Sequence, residues 1–201
     1  MPAEAVEIAG TFTINKYDDV YYVDGVEYDR VEDVEFGTPV AVLAPLTKEG
    51  WTFSGWDKAD FTMPDEEVVI SGTWAINKYD VIYYVDGVEY DRVEDVAYGT
   101  PVTVLAPLTK VGYTFSGWDK ADFTMPDGEV VINGTWTAID YTVTWVDGID
   151  TTEDKVDTYN YEDVITAPAD PAKAGYTFTG WKSDSGEMFA EGAAMPAKNV
   201  I

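Results

Sequence analysis

Residues 14–75 and 76–137 are nearly the same sequence written twice. When Ile14 is aligned with Ile76, the register of 62 residues runs without a gap, and ten positions differ. A diverged third copy runs from about residue 138 to the end of the 201-residue chain. Tandem copies of one supersecondary unit are typical of a repeat array. The chain is therefore expected to fold as a series of similar small units.

Each unit is small and must be stabilised without covalent or metal crosslinks. A domain of about 60 residues buries only about 60% of the surface that its unfolded chain exposes. The chain contains no cysteine and no histidine, which excludes disulfides and the usual zinc sites. It has seven Trp, fourteen Tyr and eight Phe, and a buried aromatic ring removes about 150–250 Å² from water. Aromatic packing is expected to supply the core.

The charge of the chain limits its partners. The formal net charge is −26, from 38 acidic and 12 basic residues spread through every repeat. This balance argues against nucleic acid as a partner. No apolar run reaches the ~18 residues that span a bilayer, and the first residues lack the features of a signal peptide. No membrane insertion is expected, and the lack of cysteine fits an extracellular or cell-surface bacterial protein.

The second copy opens with the pattern of a β-hairpin. Tyr79, Val81, Tyr83 and Val85 alternate with Asp80, Ile82 and Tyr84, and Asp86-Gly87 follows at once. Such alternation ending in Asp-Gly predicts a strand that enters a tight type I′ turn, with a return strand over Val88-Glu89-Tyr90. The same turn is predicted at Asp24-Gly25 and Asp147-Gly148.

The rest of the repeat is predicted to be mostly strand. Pro101 and Pro107 limit the segment between them to one or two turns of helix. Short strands follow around residues 113–118 and 130–136, which gives a β-rich α+β fold. One shared core is expected to hold Tyr113, Phe115, Trp118, Val131 and Trp136.

The connection between repeats is short. Four residues, Thr137–Asp140, lead from Trp136 to the next strand, and none is Gly or Pro. Such a connection is not a flexible linker, so neighbouring repeats are expected to keep a restricted angle and to form an elongated rod. The predicted units are 1–13, the closing strand of an absent upstream repeat; 14–75, repeat 1; 76–137, repeat 2; and 138–201, a divergent repeat 3 that is incomplete at its C-terminus.

Both chain ends carry parts of a closing segment. Residues 1–12 align with 125–136, and residues 195–201 begin a closing segment that stops before its Gly-Thr-Trp. Unpaired strand edges attract partners. We therefore expect residues 4–12 either to pair with their own first repeat or to complete the third repeat of another molecule by head-to-tail strand addition.

One motif occurs in all three copies. Gly112-Tyr113-Thr114-Phe115-Ser116-Gly117-Trp118 has counterparts at residues 50–56 and 175–181, and Gly134-Thr135-Trp136 closes the second copy. These elements resemble the internalin B-repeat family, also called the Listeria-Bacteroides repeat. The resemblance implies a small β-grasp-like domain, repeated as a stalk or spacer in adhesins of bacterial surfaces. The first hairpin departs from the usual Gly-rich form, so partner contacts made through it are not carried over. The family has no catalytic residues to transfer.

Paired carboxylates are the first candidates for chemistry. Glu94-Asp95, and Asp86 with Glu89, could do acid-base work, but glycosidase carboxylates need a cleft that repeats of this size hardly provide. Together with Asp91 these oxygens could bind Ca²⁺, although the spacing does not fit an EF-hand. Weak, nonspecific divalent binding stays open. We predict no enzyme and no catalytic, cofactor-binding or metal residues.

Aromatic residues and one lysine pair are the remaining candidates. Tyr83, Tyr84, Tyr90 and Trp118 could form a sugar-binding platform, although packing between domains is favoured. Asn77-Lys78 could form an isopeptide crosslink, but neighbours in a strand point in opposite directions. Two functions therefore compete: a structural spacer, and a module that binds a host protein or glycan through exposed aromatics.

Overall fold

The repeats are built from strands. The computed structural model describes residues 9–149, 154–183 and 185–201, and within these residues it contains no helix. Consequently no helix in the described part of the chain is long and apolar enough to cross a membrane. By its contacts the chain divides into two compact units. The first holds the chain up to Asp80 with Glu94–Thr100 and Thr124–Glu129, and the second holds Val81–Val93, Pro101–Phe123 and the chain from Val130 onwards.

Repeat 1 forms one three-stranded sheet and two short strand pairs. Its strands are β1 Lys16–Val23, β2 Val26–Glu35, β3 Pro39–Val40, β4 Trp51–Phe53, β5 Phe61–Thr62, β6 Val68–Gly72 and β7 Trp74–Ile76. β1 is the central strand of the large sheet: it pairs antiparallel with β2 and parallel with β6. β3 pairs with β5, and β4 pairs with β7.

Repeat 2 has the same strands at the 62-residue spacing. They are β8 Lys78–Val85, β9 Val88–Ala97, β10 Pro101–Val102, β11 Tyr113–Phe115, β12 Phe123–Thr124, β13 Val130–Gly134 and β14 Trp136–Ala138. β13 runs parallel to β8, from the pair Val130 and Val81 to the pair Gly134 and Val85.

Repeat 3 retains the hairpin and fewer of the later strands. β15 Asp140–Trp145 pairs antiparallel with β16 Lys155–Asn160. The parallel pairing of this repeat is a single bridge between Val143 and Val200. A cavity of about 890 Å³ lies beside Val143–Gly148 and reaches Trp181 and Ile201. In repeat 1 the corresponding edge of β1 is covered by β6.

The cores of repeats 1 and 3 are built on the first hairpin strand, β1 or β15. In repeat 1 the core contains Tyr21, Met63, Val68 and Ile70, with Trp56 and Phe61 packed against them. In repeat 3 it contains Val143, Trp145, Ile165 and Met195. The aromatic contribution is large, as expected: Phe53 meets Trp56 and Trp74 at ring distances of 4.9 and 5.0 Å.

The hairpin turns of the first two repeats are confirmed. Asp24 and Asp86 each have φ of 51°, and Gly25 and Gly87 follow with φ of 79° and 77°. Positive φ at both central residues is what a type I′ turn requires. The same turn at Asp147-Gly148 is wrong, because β15 ends at Trp145 and β16 begins only at Lys155.

Two further expectations fail. The α component of the predicted α+β fold is missing, because the described residues contain no helix and the segment between the two prolines has no regular structure beyond β10. Val131 is 36% exposed, whereas its neighbours Val130 and Ile132 are 8% and 0% exposed. Successive residues of a strand face opposite sides, so the core takes the other set of residues from β13.

Candidate functional site: the junctions between repeats

No free linker separates repeat 1 from repeat 2. The residues that form this junction all lie within the first compact unit. β7 pairs with β4 up to Ile76, which lies opposite Trp51. The next backbone N–H, that of Asn77, donates to the carbonyl of Gly50 at 2.9 Å. The Asn77 carbonyl accepts from the N–H of Tyr98 at 2.9 Å. The linking residue is thus hydrogen-bonded to repeat 1 on one side and to repeat 2 on the other.

A glycine of repeat 1 lies directly against an aromatic ring of repeat 2. Gly50 has φ of 73°, and a Cβ atom placed on it would come within 2.1 Å of the Tyr98 ring. Any side chain at this position would have to displace the ring. The glycine that opens the repeated motif therefore serves the contact between repeats as well as the turn.

A carboxylate of repeat 2 gathers three donors at the same junction. Asp127 accepts from the Tyr79 hydroxyl at 2.7 Å, from the Asn77 side-chain amide at 3.0 Å and from the Gly50 N–H at 3.2 Å. These bonds favour the ionised form, and they lower the pKa of Asp127, the Tyr79 bond most of all. The same bond raises the pKa of Tyr79. We call Gly50, Asn77, Tyr79, Tyr98 and Asp127 the junction clasp.

The second junction keeps the backbone bonds and the ring contact but loses the carboxylate. The Ile139 N–H donates to the Gly112 carbonyl at 2.9 Å, and its carbonyl accepts from the Tyr161 N–H at 2.9 Å. A Cβ on Gly112 would lie 2.3 Å from the Tyr161 ring. Ile139 stands where the first junction has Asn77, and Ala197 stands where repeat 2 has Asp127. The Tyr113 hydroxyl instead donates to Glu162 at 3.1 Å.

Repeat 1 has its own copies of three clasp residues: Asn15, Tyr17 and Asp65 correspond to Asn77, Tyr79 and Asp127. The hydroxyl of Tyr17 and the amide of Asn15 donate to Asp65, and the pKa of Asp65 is lowered, first by Tyr17. Phe36 stands where repeat 2 has Tyr98, and it is 51% exposed. The donors around this carboxylate are thus in place in a repeat whose aromatic ring is open to solvent.

The glycines of the motif also set the packing inside a repeat. A Cβ on Gly72 would lie 2.3 Å from the Phe53 ring, and a Cβ on Gly134 would lie 2.3 Å from the Phe115 ring. These are the glycines of the closing Gly-Thr-Trp. Phe and Gly of the motif are therefore partners, which explains why the two halves of the motif occur together.

Two of the carboxylates considered for chemistry, those of Asp86 and Glu89, bind groups of their own repeat. Asp86 accepts from the Trp136 N–H at 3.1 Å, and Glu89 accepts from Arg92 at 3.0 Å. The Asp95 N–H donates to Asp80 at 3.2 Å. Within the described residues, no group of three or more acidic, His or Cys side chains is placed to hold a metal ion. The absence of catalytic, cofactor and metal residues stays a prediction.

The other candidates are separated by the strand geometry. Tyr83 is 1% exposed and packs edge-on against Trp118 at 5.1 Å, so it lies in the core. Tyr90 is 54% exposed and lies tilted against Trp118 at 6.2 Å. Tyr84 is half-buried on the other side of the strand. Asn77 uses its amide in the junction clasp, while Lys78 is exposed.

Sequence reasoning did not find the clasp. Gly50 and Asp127 are 77 residues apart, and Asn77 and Asp127 are 50 apart. One signal was available: the pair Phe36 and Tyr98 keeps its aromatic character between copies. Nothing in the spacing says that these rings meet a glycine of the preceding repeat.

The strands and junctions define a tandem array of small strand-built domains. The profile of the Listeria-Bacteroides repeat domain matches this chain three times, at residues 17–67, 79–129 and 141–201. The chain belongs to the Listeria-Bacteroides repeat family, which confirms the resemblance seen in the motif.

Similar proteins are longer than this chain. Internalin H of Listeria monocytogenes serovar 1/2a is 32% identical over 158 residues, which is 69% of this chain and 27% of that protein. A protein of Evansella cellulosilytica named as a membrane protein is 27% identical over 215 positions, covering 94% of this chain and 32% of the relative. The chain thus spans about a third or less of the length of these relatives.

One solved structure with similarity to the chain holds domains 3–4 of the Streptococcal High Identity Repeats in Tandem (SHIRT) from a cell surface protein. Its TM-score is 0.27 and its sequence identity 20%, over 61% of this chain and 98% of that one.

Proposed function

We propose that this chain is a non-catalytic stalk or spacer segment of a bacterial cell-surface protein or adhesin, located outside the cell. The observation that carries the proposal is the junction clasp. Because Asn77 is hydrogen-bonded to both repeats and Tyr98 lies on Gly50, the first two repeats are joined without a free linker. A spacer depends on copy number and on a defined angle between copies.

The pattern of differences between the copies supports this role. Substitutions between repeats 1 and 2 include exposed positions such as Glu35, Glu49 and Glu66, whose counterparts are Ala97, Val111 and Gly128. A binding surface shared by both repeats would be expected to hold such positions fixed. The clasp residues Asn77 and Asp127, by contrast, have identical counterparts in repeat 1.

We also propose that the repeat is a β-grasp-like domain. The support is the central strand β1, which has an antiparallel neighbour, β2, on one side and a parallel neighbour, β6, on the other. Between β2 and β6 the chain forms the three short strands β3, β4 and β5 and no helix.

The spacer role can be tested in a display experiment. The chain is placed between a bacterial surface anchor and a small reporter domain that binds an immobilised antigen, and repeats are added or removed in steps of 62 residues. Capture at a fixed antigen distance should depend on the number of repeats and should be unchanged when Tyr28 and Tyr90 are replaced by Ala. Capture that is independent of repeat number would contradict the proposal.

A second candidate is direct binding of a host protein or glycan. The observation in its favour is a pair of exposed tyrosines at equal positions, Tyr28 at 53% and Tyr90 at 54%, each beside a tryptophan at 6.1–6.2 Å. The ring planes are tilted by 46°, so the two rings do not make one flat stacking surface. A glycan array probed with the whole chain, and with Y28A/Y90A as the matched control, decides between the candidates. Selective binding that the double variant loses would favour this second function.

A further inference from the structure

Repeat 1 has an acid at a core position. Asp19 is 1% exposed, and neither of its carboxylate oxygens has a hydrogen-bond partner in the described part of the chain. Buried polar groups in folded proteins are normally paired, because an unpaired one loses its hydration without compensation. Asp19 is therefore an unusual group that the spacer role does not use.

The strand register explains why Asp19 is buried. It lies on the central strand β1, opposite Val31 on β2 and Val68 on β6. Alternate residues of a strand share a face, so Asp19 lies on the same face as Tyr21, a core residue. The other two repeats have valine at this position, Val81 at 0% and Val143 at 4% exposure.

No cation of the described chain compensates Asp19. The guanidinium of Arg30, on the neighbouring strand β2, is bound to other carboxylates: Asp18 at 2.9 Å, Glu27 at 3.0 Å and Glu67 at 3.4 Å. The other titratable or charged groups on the elements around Asp19 are, on β1, Lys16, Tyr17, Asp18, Tyr21 and Tyr22; on β2, Glu27, Tyr28, Asp29, Arg30, Glu32, Asp33 and Glu35; and, in the loops ahead of β5 and β6, Asp60 and Glu67. Burial raises the pKa of Asp19, and the charge of Asp18 raises it further.

We propose that Asp19 makes the stability of the first repeat depend on pH. The repeat is more stable in acid, where Asp19 is protonated, and less stable towards neutral pH, where Asp19 is ionised. The second repeat, with Val81 at the same position, lacks this dependence. The two repeats are otherwise nearly identical, so the first is the one that opens more readily at neutral pH.

The direction follows from proton binding. An Asp side chain in an unfolded chain has a pKa of about 3.9. Because the folded pKa of Asp19 is higher, the folded repeat holds a proton that the unfolded chain has lost between these two values. The stability of the repeat is therefore full below about pH 3.9 and falls as the pH rises through the folded pKa. One proton changes the unfolding constant by up to about tenfold per pH unit.

The test compares two repeats of the same molecule. Hydrogen exchange of the full chain is followed by mass spectrometry between pH 4.5 and pH 7.5, with correction for intrinsic exchange. Peptides that cover Tyr17–Val23 and Tyr79–Val85 differ in mass and report the two repeats separately. The ratio of the opening constants, repeat 1 over repeat 2, is expected to rise by up to about tenfold per pH unit.

Three variants separate this effect from the relief of general charge repulsion. D19V should remove the pH dependence and make the opening constant of repeat 1 similar to that of repeat 2. D19N should remove the pH dependence while keeping a polar group. V81D should transfer the dependence to repeat 2. A ratio that does not change with pH in the unmodified chain, or a dependence that survives in D19V, overturns the proposal.

A direct titration covers the case in which a variant fails to fold. The carboxyl carbon of Asp19 is followed by NMR in the unmodified chain, and its midpoint is expected above 3.9. A midpoint at or below that value overturns the proposal. None of these readouts depends on a spacer function, so the two proposals can fail separately.

Discussion

At the scale of single residues, the glycines with positive φ have two different roles. Gly25 has positive φ and no atom within 4 Å of a Cβ placed on it, so it serves the turn alone. Gly50 has positive φ and also provides the surface on which the Tyr98 ring lies. The same residue type is thus needed for backbone freedom at one position and for close approach at the other.

This difference gives the first prediction. G25A should lower the free energy of unfolding by about 1 kcal/mol, because Ala is strained at positive φ. G50A should cost more, because the methyl group also displaces Tyr98 and separates the repeats. The measurement is thermal unfolding of both variants, with G25A as the matched control. Equal losses in the two variants would mean that the contact with Tyr98 contributes nothing.

The second prediction concerns the clasp carboxylate. The pKa of Asp127 is lowered in the folded chain, so its contribution is present above the unfolded value of about 3.9 and is lost as the pH falls through the folded pKa. Exchange of the Gly50 amide should therefore accelerate in acid, relative to its intrinsic rate. D127N should remove this acid effect. Asp19 acts in the opposite direction, so the two carboxylates are distinguishable in one titration.

At the scale of elements, the sequence pattern predicted the hairpins but not which face of β13 lies in the core. The Asp-Gly turns of the first two repeats followed from residue types alone, because few residues accept positive φ. The run Val130-Val131-Ile132 did not reveal which residues face the core, because all three are apolar. The parallel pairing with β8 decides this, and it joins residues about 50 apart.

The register gives the third prediction. I132A should lower the free energy of unfolding by about 2–5 kcal/mol, because it truncates a fully buried side chain and leaves a cavity. V131A, one residue away and 36% exposed, should cost less than about 1 kcal/mol. Urea unfolding of repeat 2, followed by its tryptophan fluorescence, measures both. A larger loss for V131A would show that the strand faces the other way.

At the scale of the whole molecule, the sequence predicted repetition and short connections but not how copies meet. The register of 62 residues is visible in the sequence, and so is the lack of Gly or Pro between Trp136 and Tyr141. The clasp was hidden because its members lie in two repeats and because Asp127 resembles many other acids of a chain with charge −26. The elongated shape remains a prediction.

The head-to-tail strand pairing also remains a prediction. Gly10–Ile14 is exposed and outside any strand, and residues 4–8 lie outside the described residues. The cavity beside Val143–Gly148 in repeat 3 is the site that we propose for the added strand. Deletion of residues 1–13 should leave repeats 1 and 2 folded and abolish any concentration-dependent association in light scattering. Association that persists unchanged would exclude the intermolecular pairing.

The central claim is that the clasp holds Tyr98 and Asp127 of repeat 2 against Gly50 of repeat 1, within the first compact unit. The chain has no native cysteine, so a pair of spin labels can be placed at E32C and E94C, exposed positions that are equivalent in the two repeats. Double electron–electron resonance should give a single narrow distance distribution in this chain and a broader one when G50A is added. A broad distribution in the chain with an intact clasp would contradict the account.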